Sequence, residues 1–144
     1  MEAVIFCGIQ GAGKSTFYKD YFFKTHVRIS LDLLKTRYRE NMFLQTCFSL
    51  QQSFVVDNTN ANKRERHKYI AKAKAYKFKL IGYYFSVSLG EALARNEKRA
   101  GKENIPVAAV ITTHKKLEVP SYEEGFDKLY KVEIVNGSFV IADM

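Results

Sequence analysis

At 144 residues the chain is near the commonest size for one compact domain, and with 47% hydrophobic residues, 26% charged residues and two prolines it has the composition of a folded globular protein, not a disordered one. Every apolar run falls short of the ~18 residues that a membrane-spanning helix requires, so a single domain over residues 1–144, with no membrane partner, is expected. The formal net charge of +8 reads two ways: as an ordinary solvated lysine-rich surface, or as an attraction for anionic partners such as nucleic acid.

The first residues, MEAVIFC, lack a basic leader and a small-residue cleavage site. Ala3 to Cys7 therefore reads as a buried strand entering the fold directly, and a cytosolic location is expected. Cys7 and Cys47 fit reduced, buried thiols, and no Cys/His spacing suggests a zinc site. Lys14 to Lys24 reads as a helix with Phe17, Tyr21 and Phe22 facing inward. His26 to Ser30 is a short strand. LDLLKTRYRE and MFLQTCFSLQQ read as two helical segments parted weakly at Asn41, and SFVVDNTN as a strand ending in a polar loop.

Ala61 to Tyr76 is predicted to be a long basic helix, KLIGYYFSV a strand, Leu89 to Arg99 a helix and AGKENIP a loop. Val107 to Lys116 reads as a helix with Pro106 at its first position. The final run, YKVEIVNGSFVIADM, shows two alternating stretches around Asn136-Gly137, the signal of a type I′ hairpin. Strands separated by helices imply right-handed crossovers. The expected fold is therefore α/β, three layers with a mostly parallel central sheet flanked by helices and a C-terminal β-hairpin.

GIQGAGKS, Gly8 to Ser15, satisfies G-x-x-x-x-G-K-[ST], with a strand before it and a helix after. Glycines at this density let backbone N–H groups turn inward around a phosphate, at the positive end of the following helix. Gly8, Gly11, Ala12, Gly13, Lys14, Ser15 and Thr16 are the expected ATP-binding residues, with the Ser15 hydroxyl a ligand for Mg²⁺. This makes residues 1–144 a P-loop domain. NANK is the nearest approach to a guanine reader and motor domains are larger, so a small phosphotransferase leads.

Three further groups are expected at the same sheet edge. Asp32, just past the second strand, reads either as a general base for an attacking hydroxyl or as an N-cap of the next helix. Asp57, at the end of FVVD, reads as an acid that holds Mg²⁺, with Asn58, Thr59 and Asn60 lining the loop or serving as turn residues. Arg95 and Arg99, four apart on one helix, read as donor-binding cations, Arg99 on a lid, or as solvated partners of Glu91 or Glu103. The helix around NKRERHKYIAKAKAYKFK carries eight basic residues that read equally as a solvated face or a nucleic-acid contact, with Tyr69 and Tyr76 assigned to the core.

GIQGAGKSTF, ISLD, VVDNTN, RNEKR, IPV and EGF together resemble the 5′-hydroxyl polynucleotide kinase family, over roughly Met1 to Val135. The resemblance implies an ATP- and Mg²⁺-dependent kinase acting on the 5′-OH ends of DNA or RNA. It implies Lys14 and Ser15 on the donor phosphates, Asp32 as general base, Asp57 in the active site and Arg99 as the lid arginine. Lys35 stands where the family uses an arginine to hold the acceptor's 3′-phosphate, and Asn58 and Asn60 join Asp32 and Lys35 as acceptor-binding residues. Lysine keeps the charge but loses the bidentate fork, which leaves room for a sugar, nucleoside or antibiotic hydroxyl as acceptor, or for a nucleotide-binding module without transfer chemistry. The D-x-D-x-T phosphatase motif of the bifunctional relatives is absent, so no 3′-phosphatase activity is expected.

Overall fold

The computed structural model describes residues 1–99, 101 and 104–144. Among these, six strands form one sheet in the order β2-β3-β1-β4-β5-β6. The strands are β1 (Glu2–Cys7), β2 (Val27–Ile29), β3 (Phe54–Val56), β4 (Lys79–Phe85), β5 (Lys128–Val135) and β6 (Ser138–Asp143). All neighbours run parallel except β5 and β6, which pair antiparallel from Val135↔Ser138 to Tyr130↔Asp143. Asn136 (φ 50°) and Gly137 (φ 77°) both adopt positive φ, the type I′ geometry that the dipeptide predicts.

At the centre of the sheet, β3 and residues Ala3–Cys7 of β1 are apolar without interruption because both faces are covered there. Along β1, Ala3 and Ile5 point to one face, where they meet Phe54, Leu80, Phe48, Tyr69 and Ile70. Val4 and Phe6 point to the other, against Phe17, Tyr18, Phe22 and Phe85. Helix α1 (Lys14–Tyr21) covers the second face; after the single turn of α2 (Leu31–Leu34), helices α3 (Arg37–Leu50) and α4 (Lys63–Ala75) cover the first. Helices α5 (Leu89–Glu97) and α6 (Val107–Lys116) pack on each other through Ala92 and Val110. No described helix is long and apolar enough to cross a membrane.

Several boundaries differ from the sequence expectation. The break falls at Lys35, not Asn41: Lys35 turns to φ 74°, Thr36 caps α3 by accepting the Arg39 N–H at 3.2 Å, and Asn41 lies inside one continuous helix. Helix α1 stops at Tyr21, so Tyr18 takes the inward position and Tyr21 is exposed. Helix α5 stops at Glu97, and Pro106 is the N-cap of α6 instead of its first residue. Within the predicted AGKENIP loop, Ala100, Lys102 and Glu103 lie outside the described residues.

Helix α4 also reads differently in place. Arg66 is not part of a solvated face. It is fully buried, donating to both Glu124 carboxylate oxygens at 2.8 and 3.0 Å and to the Asn60 and Ala61 carbonyls at 2.9 and 3.1 Å. Tyr69 is buried as expected, whereas Tyr76 is 44% exposed and stacks on Phe48.

Candidate active site

The glycine loop leaves β1 and enters α1 with Gly13 as N-cap at φ 95°. Gly11 sits at φ 81°, and a Cβ there would lie 2.5 Å from the Ala92 carbonyl oxygen, so a side chain is barred by backbone conformation and by α5. A Cβ on Gly13 would lie 3.0 Å from Ile134 and 3.2 Å from Phe139, because the β5–β6 hairpin packs directly on the loop. Gly8 is the exception among the expected phosphate-binding residues. It lines neither cleft described below, and its N–H donates to the Thr59 carbonyl at 2.9 Å, so its amide anchors the loop.

Lys14 folds back over the loop, donating to the Gly8 and Ile9 carbonyls at 2.8 Å each. Burial, joined by the charge of Arg99, pushes its pKa down to about 8 against the opposing pull of Asp57, Cys7 and Asp32. The ammonium group is held in place and poorly solvated.

Two clefts meet at this loop. One, of about 760 Å³, is lined by Gln10 to Thr16, Arg28, Asp32, Lys35, Arg37, Asp57 to Asn60 and Arg99. The other, of about 730 Å³, lies on the hairpin side and is lined by Gly11, Gly13, Thr16, Tyr21, Arg95, Arg99, Ile134 and Phe139. Gly11, Gly13, Thr16 and Arg99 border both.

In the first cleft Asp57 is buried at the end of β3, where its Oδ2 accepts from Ser15 Oγ at 3.1 Å and from Arg28 Nε at 2.8 Å. A hydroxyl and a carboxylate side by side are hard oxygen donors of the kind Mg²⁺ takes together with phosphate oxygens and water, so this pair fits the ion. Sequence reasoning passed over Arg28. Its only signal is strand alternation: Ile29 faces the α3 side of the sheet, which turns Arg28 toward α1 and Ser15.

Asp32 lies in the first turn of α2, exposed in the same cleft, with Ser30 occupying the N-cap position. It is thus not the cap. The turn is instead fixed by Asn58, whose Oδ1 accepts the Leu31 N–H at 2.9 Å while its Nδ2 donates to Glu40 at 3.0 Å. Glu40, unremarked in the sequence, is a buried hub that also accepts from Arg37, Lys68 and Tyr69. Burial alone would raise its pKa, but the hydrogen bonds from Lys68, Tyr69 and Arg37 bring it below the usual carboxylate value. Asn58 therefore holds α2 rather than presenting a free amide.

Asn60 departs further from its expected acceptor role: it is buried at φ 44°, with its amide donating to the Phe6 carbonyl at 2.8 Å. Lys35 is exposed, and its ammonium group donates to the Asp32 carbonyl.

Arg95 and Arg99 do not share a helical face, since Arg99 lies past the end of α5 with its N–H on the Asn96 carbonyl. Both still line the hairpin-side cleft. Arg95 reaches the Gly11 carbonyl at 3.5 Å and Glu91 at 4.0 Å, while Glu103 lies outside the described residues. The buried Asn96 ties the two ends of this segment, accepting the Ile105 N–H at 2.9 Å and donating to the Ile105 carbonyl.

The AAA domain family matches residues 36–120, from the capping threonine of α3 to beyond α6. The chain belongs to that family. The match begins after the glycine loop, so the loop's backbone geometry stands as a separate observation. A bifunctional polynucleotide phosphatase/kinase of Schizosaccharomyces pombe is 25% identical over 137 residues, covering 91% of this chain and 33% of the relative. A putative bifunctional polynucleotide phosphatase/kinase of Acanthamoeba polyphaga mimivirus is 28% identical over 139 residues, with the same coverage. The chain thus spans about a third of the length of these relatives, which carry the name of the family that the motifs resemble. A gluconokinase from Sinorhizobium meliloti 1021 shares the fold, with a TM-score of 0.66 at 17% identity over 92% of this chain and 82% of that one. The architecture is a P-loop kinase fold of the α/β class.

Proposed function

We propose that the protein is a phosphotransferase that moves the γ-phosphoryl group of ATP to a hydroxyl, most specifically the 5′-OH end of DNA or RNA. The observation that carries the reading is the shared cleft: the Asp32 carboxylate and the Lys14–Ser15 end of the glycine loop line one cavity, flanked by Lys35 and Arg37. A general base and a phosphate cage facing the same space are what in-line transfer requires.

In this scheme Asp32 orients the acceptor hydroxyl and takes its proton as the new P–O bond forms, while the bond between the β- and γ-phosphates breaks and ADP leaves. Lys14 moves from the Gly8 and Ile9 carbonyls to the donor phosphates. Arg99, at the border of both clefts, offsets charge on the transferred group. The hairpin-side cleft takes the nucleoside end of the donor. Ser15 and Asp57 would hold Mg²⁺, which when bound would supply neutralisation of the donor's phosphate charge.

The test is transfer from γ-labelled ATP to a panel of 5′-OH oligonucleotides, nucleoside 3′-phosphates and common metabolites. Labelled oligonucleotides are the expected result, and Asp32→Asn should abolish labelling while ATP binding persists. Full labelling by that variant would remove the base assignment. One observation favours a second reading, a small-molecule acceptor: Lys35 presents a single ammonium group, already engaged with the Asp32 carbonyl, where a bidentate fork would grip a phosphate. Acceptor binding that falls steeply with salt supports the polynucleotide, and indifference to salt supports the small molecule.

A further inference from the structure

The Arg28 guanidinium occupies an unexpected place. Its Nε donates to Asp57 Oδ2 at 2.8 Å and its second amino nitrogen to Ser15 Oγ at 3.1 Å, so the planar fork spans both oxygens of the pair that fits Mg²⁺. Ser15 Oγ itself donates to Asp57 Oδ2 at 3.1 Å, closing a three-membered ring of contacts. Asp57 is 2% exposed whereas Arg28 is 27% exposed and lines the open cleft. The carboxylate is enclosed, whereas the guanidinium borders open cleft space into which it can swing.

We propose that Arg28 is a cationic latch on the divalent-metal site. In the nucleotide-free protein it neutralises Asp57 and holds Ser15, and it leaves when metal arrives. A divalent cation seated on Asp57 Oδ2 and Ser15 Oγ would meet the guanidinium that already holds those two oxygens, so Arg28 and the metal compete for them. The consequence is ordered loading. A free metal ion gains only a carboxylate and a hydroxyl and must break two charge-assisted hydrogen bonds. A metal ion arriving with triphosphate brings further oxygens and its own negative charge to offset the displacement. Arg28 is therefore a positioning residue that couples metal uptake to nucleotide uptake.

The inference rests on Ser15 and Asp57 being the metal pair, and the experiment separates the two claims. Mn²⁺ is titrated into nucleotide-free protein and the unbound ion is followed by electron paramagnetic resonance, with circular dichroism as a check that each variant is folded. Arg28→Met is expected to bind Mn²⁺ at least about ten-fold more tightly than the native chain, a floor set by just one of the two charge-assisted hydrogen bonds that no longer need to be broken. Adding Asp57→Asn to Arg28→Met should remove the gain. Arg28→Lys keeps the charge but loses the fork, and should fall between native and Arg28→Met; it serves alone if Arg28→Met does not fold. Native-like Mn²⁺ affinity in whichever folded variant is measured overturns the latch. A gain in Arg28→Met that survives the added Asp57→Asn overturns the metal pair itself.

Discussion

Nucleotide affinity should carry the signature of Lys14. Burial brings this lysine from an ordinary value of 10.5 to about 8, while its contacts are two neutral carbonyls. Phosphate oxygens favour the ammonium form, so the nucleotide complex holds the proton to higher pH than the free protein does. The complex then binds more protons than the free protein above pH 8, and affinity must fall as pH rises. With roughly half of the free protein protonated at pH 8 and about a tenth at pH 9, the Kd for ADP should be flat below about pH 7.5 and rise about ten-fold per unit above 8. Folding carries the opposite sign: the unfolded chain binds the extra proton between about pH 8 and 10.5, so this group's contribution to stability rises with pH across that window. Titration calorimetry without metal, in buffers of different ionisation enthalpy, should show uptake of about half a proton per ADP at pH 8. Lys14→Arg, whose charge does not titrate there, should bind more weakly but with a pH-independent Kd. A native Kd that stays constant from pH 7 to 9.5 with no proton uptake would refute the reasoning.

Glu124→Gln should leave the buried Arg66 guanidinium without its counter-charge and cost about 3–5 kcal/mol, lowering Tm by at least about 6 °C in thermal unfolding. Gly11→Ala, with φ 81° and a Cβ 2.5 Å from the Ala92 carbonyl oxygen, should lose about 1–3 kcal/mol in urea and weaken ADP binding in the same preparation. Asn96→Ala should strand the Ile105 N–H and carbonyl, cost about 1–3 kcal/mol by urea denaturation and speed tryptic cleavage at Lys98 and Arg99.

The glycine loop, the strand-end acids and the Asn136-Gly137 turn were legible in the sequence because each depends on local chemistry. Backbone conformation, strand polarity and loop placement follow from a few consecutive residues, and the sheet edge then gathers them. What escaped was side-chain pairing across long separations. Arg66 reads as one more cation of a basic helix until Glu124, 58 residues on, closes over it. Asn58 and Asn60 read as a polar pair until one amide is found fixing Leu31 and the other the Phe6 carbonyl, two structural tasks with no local trace. Arg28 was hidden for the same reason: its partners belong to a different helix and a different strand. The end of α5 before Arg99 was missed because Arg95 and Arg99 have the right spacing for one face, and spacing says nothing of where a helix unwinds.

The packing of Ile134 and Phe139 against Gly13 has a consequence for synthesis. A ribosome delivers the glycine loop first and the segment that walls it more than a hundred residues later. Strand β1, the partner of both β3 and β4, likewise waits for residues 54 and 79 to emerge before it has a neighbour on either side. A nascent chain paused short of residue 134 therefore exposes the glycine loop without its hairpin wall, and the enclosure forms only once β5 and β6 fold back onto a segment made more than a hundred residues earlier.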